Sequence, residues 1–465
     1  MSRLFWIGLL GLMFTSIVGA QMEPPFAPGQ VSDHVKTVND ASQTYAIYLP
    51  TSYDPKKQYP AIYAFDPGGR GVAGVNAYKS AAEKFGYIVI GSNNSKNGLD
   101  APALTTALNA LWQDTHNRLS IDDKRVIATG FSGGARVASS LAVACKCIFG
   151  VIGDGAGFAR GVPTDKSVPF VFAGTIGVDD FNYPELRDLQ KKLASSAVPN
   201  RTLTFDGGHQ WAPEQVASDA LEWMEVRETK AGVRPKDDVL LDAALRDLES
   251  RGDTFLAAKD YLAAHEAYAA AVADLSGLRD TSSAAKKLSA LENSAEYKRA
   301  VKFDADAIDK QARLAGEING LKQGLATADT RTDSLEKIHE RVQEMRTHFA
   351  DAADSPERRL SRRVLNAVFV EAYEAATLRL EPAKNYEMAL IELDLAAAVS
   401  PKSPEVPYQQ ARMYALKGDK KKAVQFLTKA VGNGFHDSSR INAETAFEPL
   451  RGDADFKAVI SGMPN

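Results

Sequence analysis

The segment RVIATGFSGGARVASSLA, residues 125–142, sets Ser132 among glycines at 130, 133 and 134. A serine hydroxyl attacks a carbonyl only when a base takes its proton and hydrogen-bond donors receive the resulting oxyanion. The Gly-x-Ser-x-Gly spacing is too short to carry that chemistry alone, so its surroundings must. A buried-strand pattern precedes Ser132 and a helical run follows it. Gly130 and Gly134 would then allow a tight strand-to-helix passage that forces the serine into unfavourable backbone angles. The N–H of Gly133, opening the helix, would point to where an oxyanion forms. Between residues 30 and 226 the only histidine after Ser132 is His209, in TFDGGHQWAP; His34 and His116 come before it. The acid that orients such a histidine belongs on the preceding loop, GTIGVDDFNYPEL. Asp180 is preferred there, with Asp179 as the alternate.

A second oxyanion donor is expected from the turn FDPGGRG. Pro67 has no N–H, so the donor is expected to be Gly68, less readily Gly69. Trp211, two residues past the histidine, is read as a substrate-pocket wall, with a core tryptophan as the competing reading. Asn93, Asn94 and Ser95, at a strand end, are weaker candidates for polar contacts near the site; a surface turn is the preferred reading.

These residues need a scaffold that brings distant segments together. Strand-like runs occur at 44–50, 61–67, 87–93, 125–131, 148–154, 169–175 and 201–207, several of them apolar throughout. Helical patterns such as APALTTALNALWQDTHNRL and YPELRDLQKKLASSA lie between them. This alternation predicts an α/β, doubly wound, mostly parallel sheet. The segment between the fifth and sixth of these strand-like runs, GAGFARGVPTDKSV, is too short for a lid domain, so the serine should be comparatively open.

After Trp223 the composition changes. The polar stretch RETKAGVRPKDD, 227–238, reads as a linker, and residues 239–465 are rich in alanine, leucine and charge with helical spacing. Segments 385–399 and 419–431 align with a 34-residue shift, and 259–272 carries the same small-residue spacing. That period is the one of tetratricopeptide repeats. An all-α, tetratricopeptide-like domain is therefore expected, whose surface could recruit a protein partner or lean over the site.

Residues 1–20 pair one arginine with an apolar run and end in Val-Gly-Ala, the layout of a cleavable signal peptide. The mature chain is thus expected to be secreted or periplasmic. A net charge of −4 offers no broad basic surface for nucleic acid. The two cysteines, Cys145 and Cys147, are one residue apart and are expected to be two buried thiols; nearby residues provide no further zinc ligands.

The motifs YLPTSYDPKKQYPAIYAFDPGGRG, DDKRVIATGFSGGARVA and GGHQWAP resemble those of secreted α/β-hydrolases of the esterase type. The likeness is to polyhydroxybutyrate-depolymerase-like and feruloyl-esterase-like serine esterases, and it spans about residues 40–225. The order Ser, acid, His along the chain agrees with it. The resemblance implies a hydrolase fold over 21–226 and cleavage of small-molecule or polymeric carboxylic esters through an acyl-enzyme on Ser132. His209 would serve as base and then acid, with an aspartate behind it. No metal or cofactor is expected, because this chemistry needs neither. A serine peptidase on the same fold and a non-catalytic binding scaffold are the competing readings.

Overall fold

The apolar runs form one eight-stranded sheet. The computed structural model describes residues 26–347 and 355–463, so the expected signal peptide lies outside the described residues. The strands are β1 (Val31–Lys36), β2 (Thr44–Tyr48), β3 (Tyr59–Phe65), β4 (Ile88–Ser92), β5 (Ile121–Phe131), β6 (Gly150–Asp154), β7 (Val171–Gly177) and β8 (Asn200–Phe205). They lie in the order β1-β2-β4-β3-β5-β6-β7-β8. β2 runs antiparallel to both neighbours, and every other pair is parallel. β1 was not anticipated, and its exposure explains why: none of its residues is buried, and it is an edge strand without an apolar run.

Five helices cover the two faces: α1 (Gly71–Phe85), α2 (Ala101–Arg118), α3 (Gly133–Cys145), α4 (Tyr183–Ser195) and α5 (Glu214–Lys230). On one face Ile62, Val89, Ile127 and Ile152 pack with Val75 and Tyr78 of α1 and Leu221 and Trp223 of α5. On the other face their chain neighbours Tyr63, Ile90, Ala128 and Val151 pack with Leu111, Ala138 and Leu186. Both faces of the central strands are therefore dry, which is why those runs are apolar without alternation. This doubly wound sheet is the architecture that the hydrolase resemblance implies.

Two expectations need correction. The polar segment from residue 227 is not all linker, because α5 continues to Lys230. Glu228 is fully buried, accepting from Arg125 Nε at 2.6 Å and from the Tyr87 hydroxyl at 2.8 Å. Arg227 pairs with Asp274 at 3.6 Å. The polarity is that of buried partners, and only residues 231–237 separate α5 from the next helix. Cys145 and Cys147 are not free thiols either: they form a disulfide and are only partly buried. Lys146 between them is left-handed, φ +54°, and folds the chain back so that the Cα atoms are 5.1 Å apart, within bridging range.

The second half is helical, with no strand among its described residues. It comprises α6 (Asp238–Ala257), α7 (Tyr261–Leu275), α8 (Ser282–Asn293), α9 (Ala295–Gln323), α10 (Ala328–Met345), α11 (Pro356–Glu374), α12 (Tyr386–Val399), α13 (Glu405–Leu416), α14 (Lys420–Gly432), α15 (Ser438–Ala443) and α16 (Ala454–Ser461). The three segments aligned from sequence start alike. Asp260, Asn385 and Asp419 each cap a helix by accepting from the N–H three residues on. Each follows a left-handed residue: Lys259, Lys384 or Gly418. Ala264, Ala389 and Ala423, then Ala271, Ala396 and Ala430, are fully buried at matching positions. Small residues there let neighbouring helices approach closely.

Candidate active site

β5 ends at the expected nucleophile. Its last residue, Phe131, is followed by Ser132 at φ +52° and ψ −116°, and α3 begins at once. A non-glycine residue at such angles is strained and persists only when its surroundings fix it. Here the Ser132 N–H donates to Asp154 O at 2.8 Å, tying the turn to the end of β6. The two flanking glycines are steric requirements. A Cβ on Gly134 would lie 1.8 Å from Phe65 O, and one on Gly130 would lie 2.2 Å from the Gly134 carbonyl carbon. The Gly133 N–H opens α3, where helical N–H groups have no intrahelical acceptor. It therefore stands as a donor beside Ser132.

The structure brings the predicted base and one predicted acid together. His209 Nδ1–H donates to Asp180 Oδ2 at 2.8 Å. Asp180 is fully buried at the tip of the loop after β7, its Oδ1 accepting from Asn182 N–H at 2.8 Å. The His209 ring lies between Phe131 and Phe181, with centroids 4.5 and 4.4 Å away. Beneath them is Gly155, where an added Cβ would sit 3.0 Å from the Phe131 ring, 3.1 Å from Asp180 Oδ2 and 3.3 Å from His209 Nδ1. Phe131, Gly155, Asp180 and His209, which end or follow β5, β6, β7 and β8, thus meet at one point. Asp179 points elsewhere: its Oδ2 accepts from Arg362 at 3.0 Å.

Two expected roles change. The Gly68 N–H donates to Asp66 Oδ1 at 2.8 Å, and the Gly69 N–H to Asp66 O at 3.0 Å. Neither is therefore open to an oxyanion in this conformation. Asp66 is responsible: it also accepts from Arg70 Nε at 2.9 Å and from Trp211 Nε1 at 3.0 Å. These donors hold its carboxyl below the usual range despite burial. Trp211 is correspondingly a brace between the base loop and this turn. Its ring lies edge-on to Tyr78 and 5.9 Å from Phe131. Asn93, Asn94 and Ser95 stitch loops together, Asn93 Oδ1 accepting from Gly71 N–H and Asn94 Oδ1 from Thr44 N–H.

Several residues near the site were not read from sequence. Asn97 places its carboxamide against Gly133, so close that a Cβ on the glycine would meet Oδ1 at 1.9 Å. Asp154 is fully buried under the elbow. It accepts from Thr175 Oγ1 at 2.5 Å, the Tyr78 hydroxyl at 2.9 Å and Thr129 Oγ1 at 3.0 Å. Desolvation outweighs those donors and pushes its pKa up to about 6. An aspartate closing an otherwise apolar strand, IFGVIGD, was the available signal. Arg362, Arg363 and Asn366 of α11 reach the acid loop from the helical half, and no sequence pattern marks them.

No family model and no curated protein matches this chain. Solved structures similar to part of it include FphF, a fluorophosphonate-binding serine hydrolase of Staphylococcus aureus, at 14% identity and TM-score 0.34 over 43% of this chain and 99% of that one. A ferulic acid esterase is similar at 17% identity and TM-score 0.33, covering 41% of this chain and 94% of its own. An esterase of Pyrobaculum calidifontis is similar at 12% identity and TM-score 0.35, covering 45% and 87%.

Proposed function

We propose that this protein is a serine hydrolase that cleaves carboxylic esters through an acyl-enzyme on Ser132. The observation that carries the reading is the strained Ser132, φ +52°, directly after Phe131, whose ring lies 4.5 Å from the His209 ring of a His209–Asp180 pair 2.8 Å apart. A backbone strain of this kind has no packing purpose, and a buried aspartate on one imidazole nitrogen leaves the other for proton transfer. His209 Nε2 takes the Ser132 proton as Oγ attacks the ester carbonyl. It returns that proton to the departing alkoxide, and water repeats the cycle on the acyl-enzyme. Asp180 holds the tautomer and favours the imidazolium. The Gly133 N–H receives the oxyanion.

The helical half is read as a tetratricopeptide-like array that binds a protein or polymer, supported by the shared caps of Asn385 and Asp419. The apolar N-terminal leader supports a site of action outside the cytoplasm.

The test is hydrolysis of a graded series of p-nitrophenyl acyl esters by the full chain beside Ser132→Ala. Loss of ~10³-fold or more in kcat/KM is expected for the variant. An alanine variant as active as the parent on every ester would end the assignment. Turnover of amides but not esters would move it to peptide bonds.

A further inference from the structure

The loop that carries Asp180 is bonded by two different halves of the molecule. Its N–H groups are satisfied within the sheet domain: Val178 donates to Phe205 O at 2.9 Å, Asp179 to Gly207 O at 2.9 Å and Asp180 to Gly177 O at 3.0 Å. Asp180 O accepts from Tyr183 N–H at 3.0 Å in the same domain, but the acceptors on either side of it face the helical domain. Val178 O accepts from Arg363 Nε at 2.6 Å, and Asp179 O from Asn366 Nδ2 at 3.1 Å. Phe181 O accepts from Gln311 Nε2 of α9 at 3.3 Å. The Asp179 carboxylate takes Arg362 at 3.0 Å. Arg363 is 5% exposed and lies over the Tyr183 ring at 3.7 Å, pinning the start of α4 as well.

These contacts bracket Asp180 on both sides in sequence. Two adjacent aspartates on an open loop would repel one another and swing freely. Arg362 neutralises the one that does not face His209, while Arg363 and Asn366 fix the two peptide units just before Asp180. A charged side chain as deeply buried as Arg363 is costly unless its partners compensate it, and its partners include Val178 O, the Tyr183 ring and the charge of Asp179 on the acid loop and its helix, together with Asp304 of α9.

We propose that α11 forms part of the active site as a clamp, in which Arg363 and Asn366, assisted by Arg362, are positioning residues that set Asp180 against His209. The helical domain is then an integral part of the catalytic machinery, and whatever shifts α11 changes kcat. This rests on the Ser132–His209–Asp180 reading above and extends it across the domain boundary.

The experiment compares Arg363→Ala, Asn366→Ala and Arg363→Lys with Val368→Ala in the full chain. Val368 lies in the helical core, 4% exposed, and its truncation loosens the domain without removing a bond to the loop. Arg363→Ala and Asn366→Ala are expected to lower kcat by ~10- to 100-fold, the scale on which small misplacements act. KM should stay within ~2-fold, since the clamp does not touch substrate. Arg363→Lys should recover part of the loss. The low-field resonance of the His209 Nδ1 proton should weaken in both alanine variants, and it reports the contact even if no substrate turns over. The clamp is overturned if both alanine variants keep this resonance and the wild-type kcat, or lose only what Val368→Ala loses at an equal fall in Tm. Failure of the esterase reading would show separately, as an active Ser132→Ala.

Discussion

Around Ser132, everything that fixes the backbone comes from the sheet and its helices: the Asp154 carbonyl, the Phe65 carbonyl pressed on Gly134, and the start of α3. Around Asp180, half of the bonds come from helices more than 120 residues further along the chain. The elbow is a steric device, in which backbone meets backbone with no room for a Cβ. The acid loop is a polar one, in which long side chains reach across a seam between two domains. Steric devices fail abruptly and polar ones by degrees, so the two corners of the site should respond differently to substitution.

The largest effect is expected where sterics rule. Gly134→Ala places a methyl 1.8 Å from a carbonyl oxygen that belongs to β3 and cannot move away. A cost of about 3–5 kcal/mol is expected, on the scale of severe overpacking. Denaturant titration of the soluble variant measures it; a variant as stable as the parent would mean that the elbow is not closed as described.

Next comes the acid loop, where two neighbouring aspartates separate by role. Asp180→Asn is expected to lower kcat by about 10⁴-fold, since an amide presents the wrong partner to the imidazole. Asp179→Asn keeps the shape and loses only the charge opposite Arg362, so a loss of about 10-fold at most is expected for a partly exposed pair. Equal losses from the two variants would reassign the acid.

A smaller effect tests the floor beneath the elbow. The Asp154 carboxyl titrates near pH 6 in the fold, against 3.8 for an ordinary aspartate. The unfolded chain therefore gives up this proton first as pH rises. Between about pH 4 and pH 6 the folded state alone retains it, and stability falls across that window by roughly 2–4 kcal/mol. Below pH 4 this contribution is fully present. Asp154→Asn has no proton to lose and should flatten that part of the Tm profile. A wild-type Tm that does not decline between pH 4 and pH 6 would count against the buried carboxylate.

How far the sequence revealed the site follows the same division. The strands were legible because burial on both faces makes each run apolar. Ser132 and His209 were legible because an elbow needs its glycines and the histidine stands alone after the last strand. Asp179 and Asp180 were not separable, since which of two neighbours faces the histidine depends on a loop shape set by α11. Arg362, Arg363 and Asn366 look like ordinary helix-surface residues, and only the fold puts them beside the acid. Gly68 was misread because Asp66 turns its carboxylate back onto the turn it begins. Glu228 was misread as linker because a polar residue buried against Arg125 is indistinguishable, in one dimension, from a solvated one.

The smallest expected effect isolates the contrast within a single residue type. Gly208 precedes His209 at the seam, and a Cβ there would meet Asn366 Nδ2 at 3.6 Å, an ordinary contact with a side chain. Gly208→Ala should therefore change stability by less than about 1 kcal/mol and leave kcat within ~2-fold. The same glycine-to-alanine change that closes off the elbow at Gly134 is thus expected to be nearly silent at the base loop. The difference is that the carbonyl at Gly134 lies well inside contact distance and cannot yield, whereas the asparagine amide at Gly208 stands at an ordinary contact distance and need not move. If Gly208→Ala instead costs as much as Gly134→Ala, the seam is as rigid as the elbow. α11 would then hold the base loop by steric fit as well as the acid loop by hydrogen bonds.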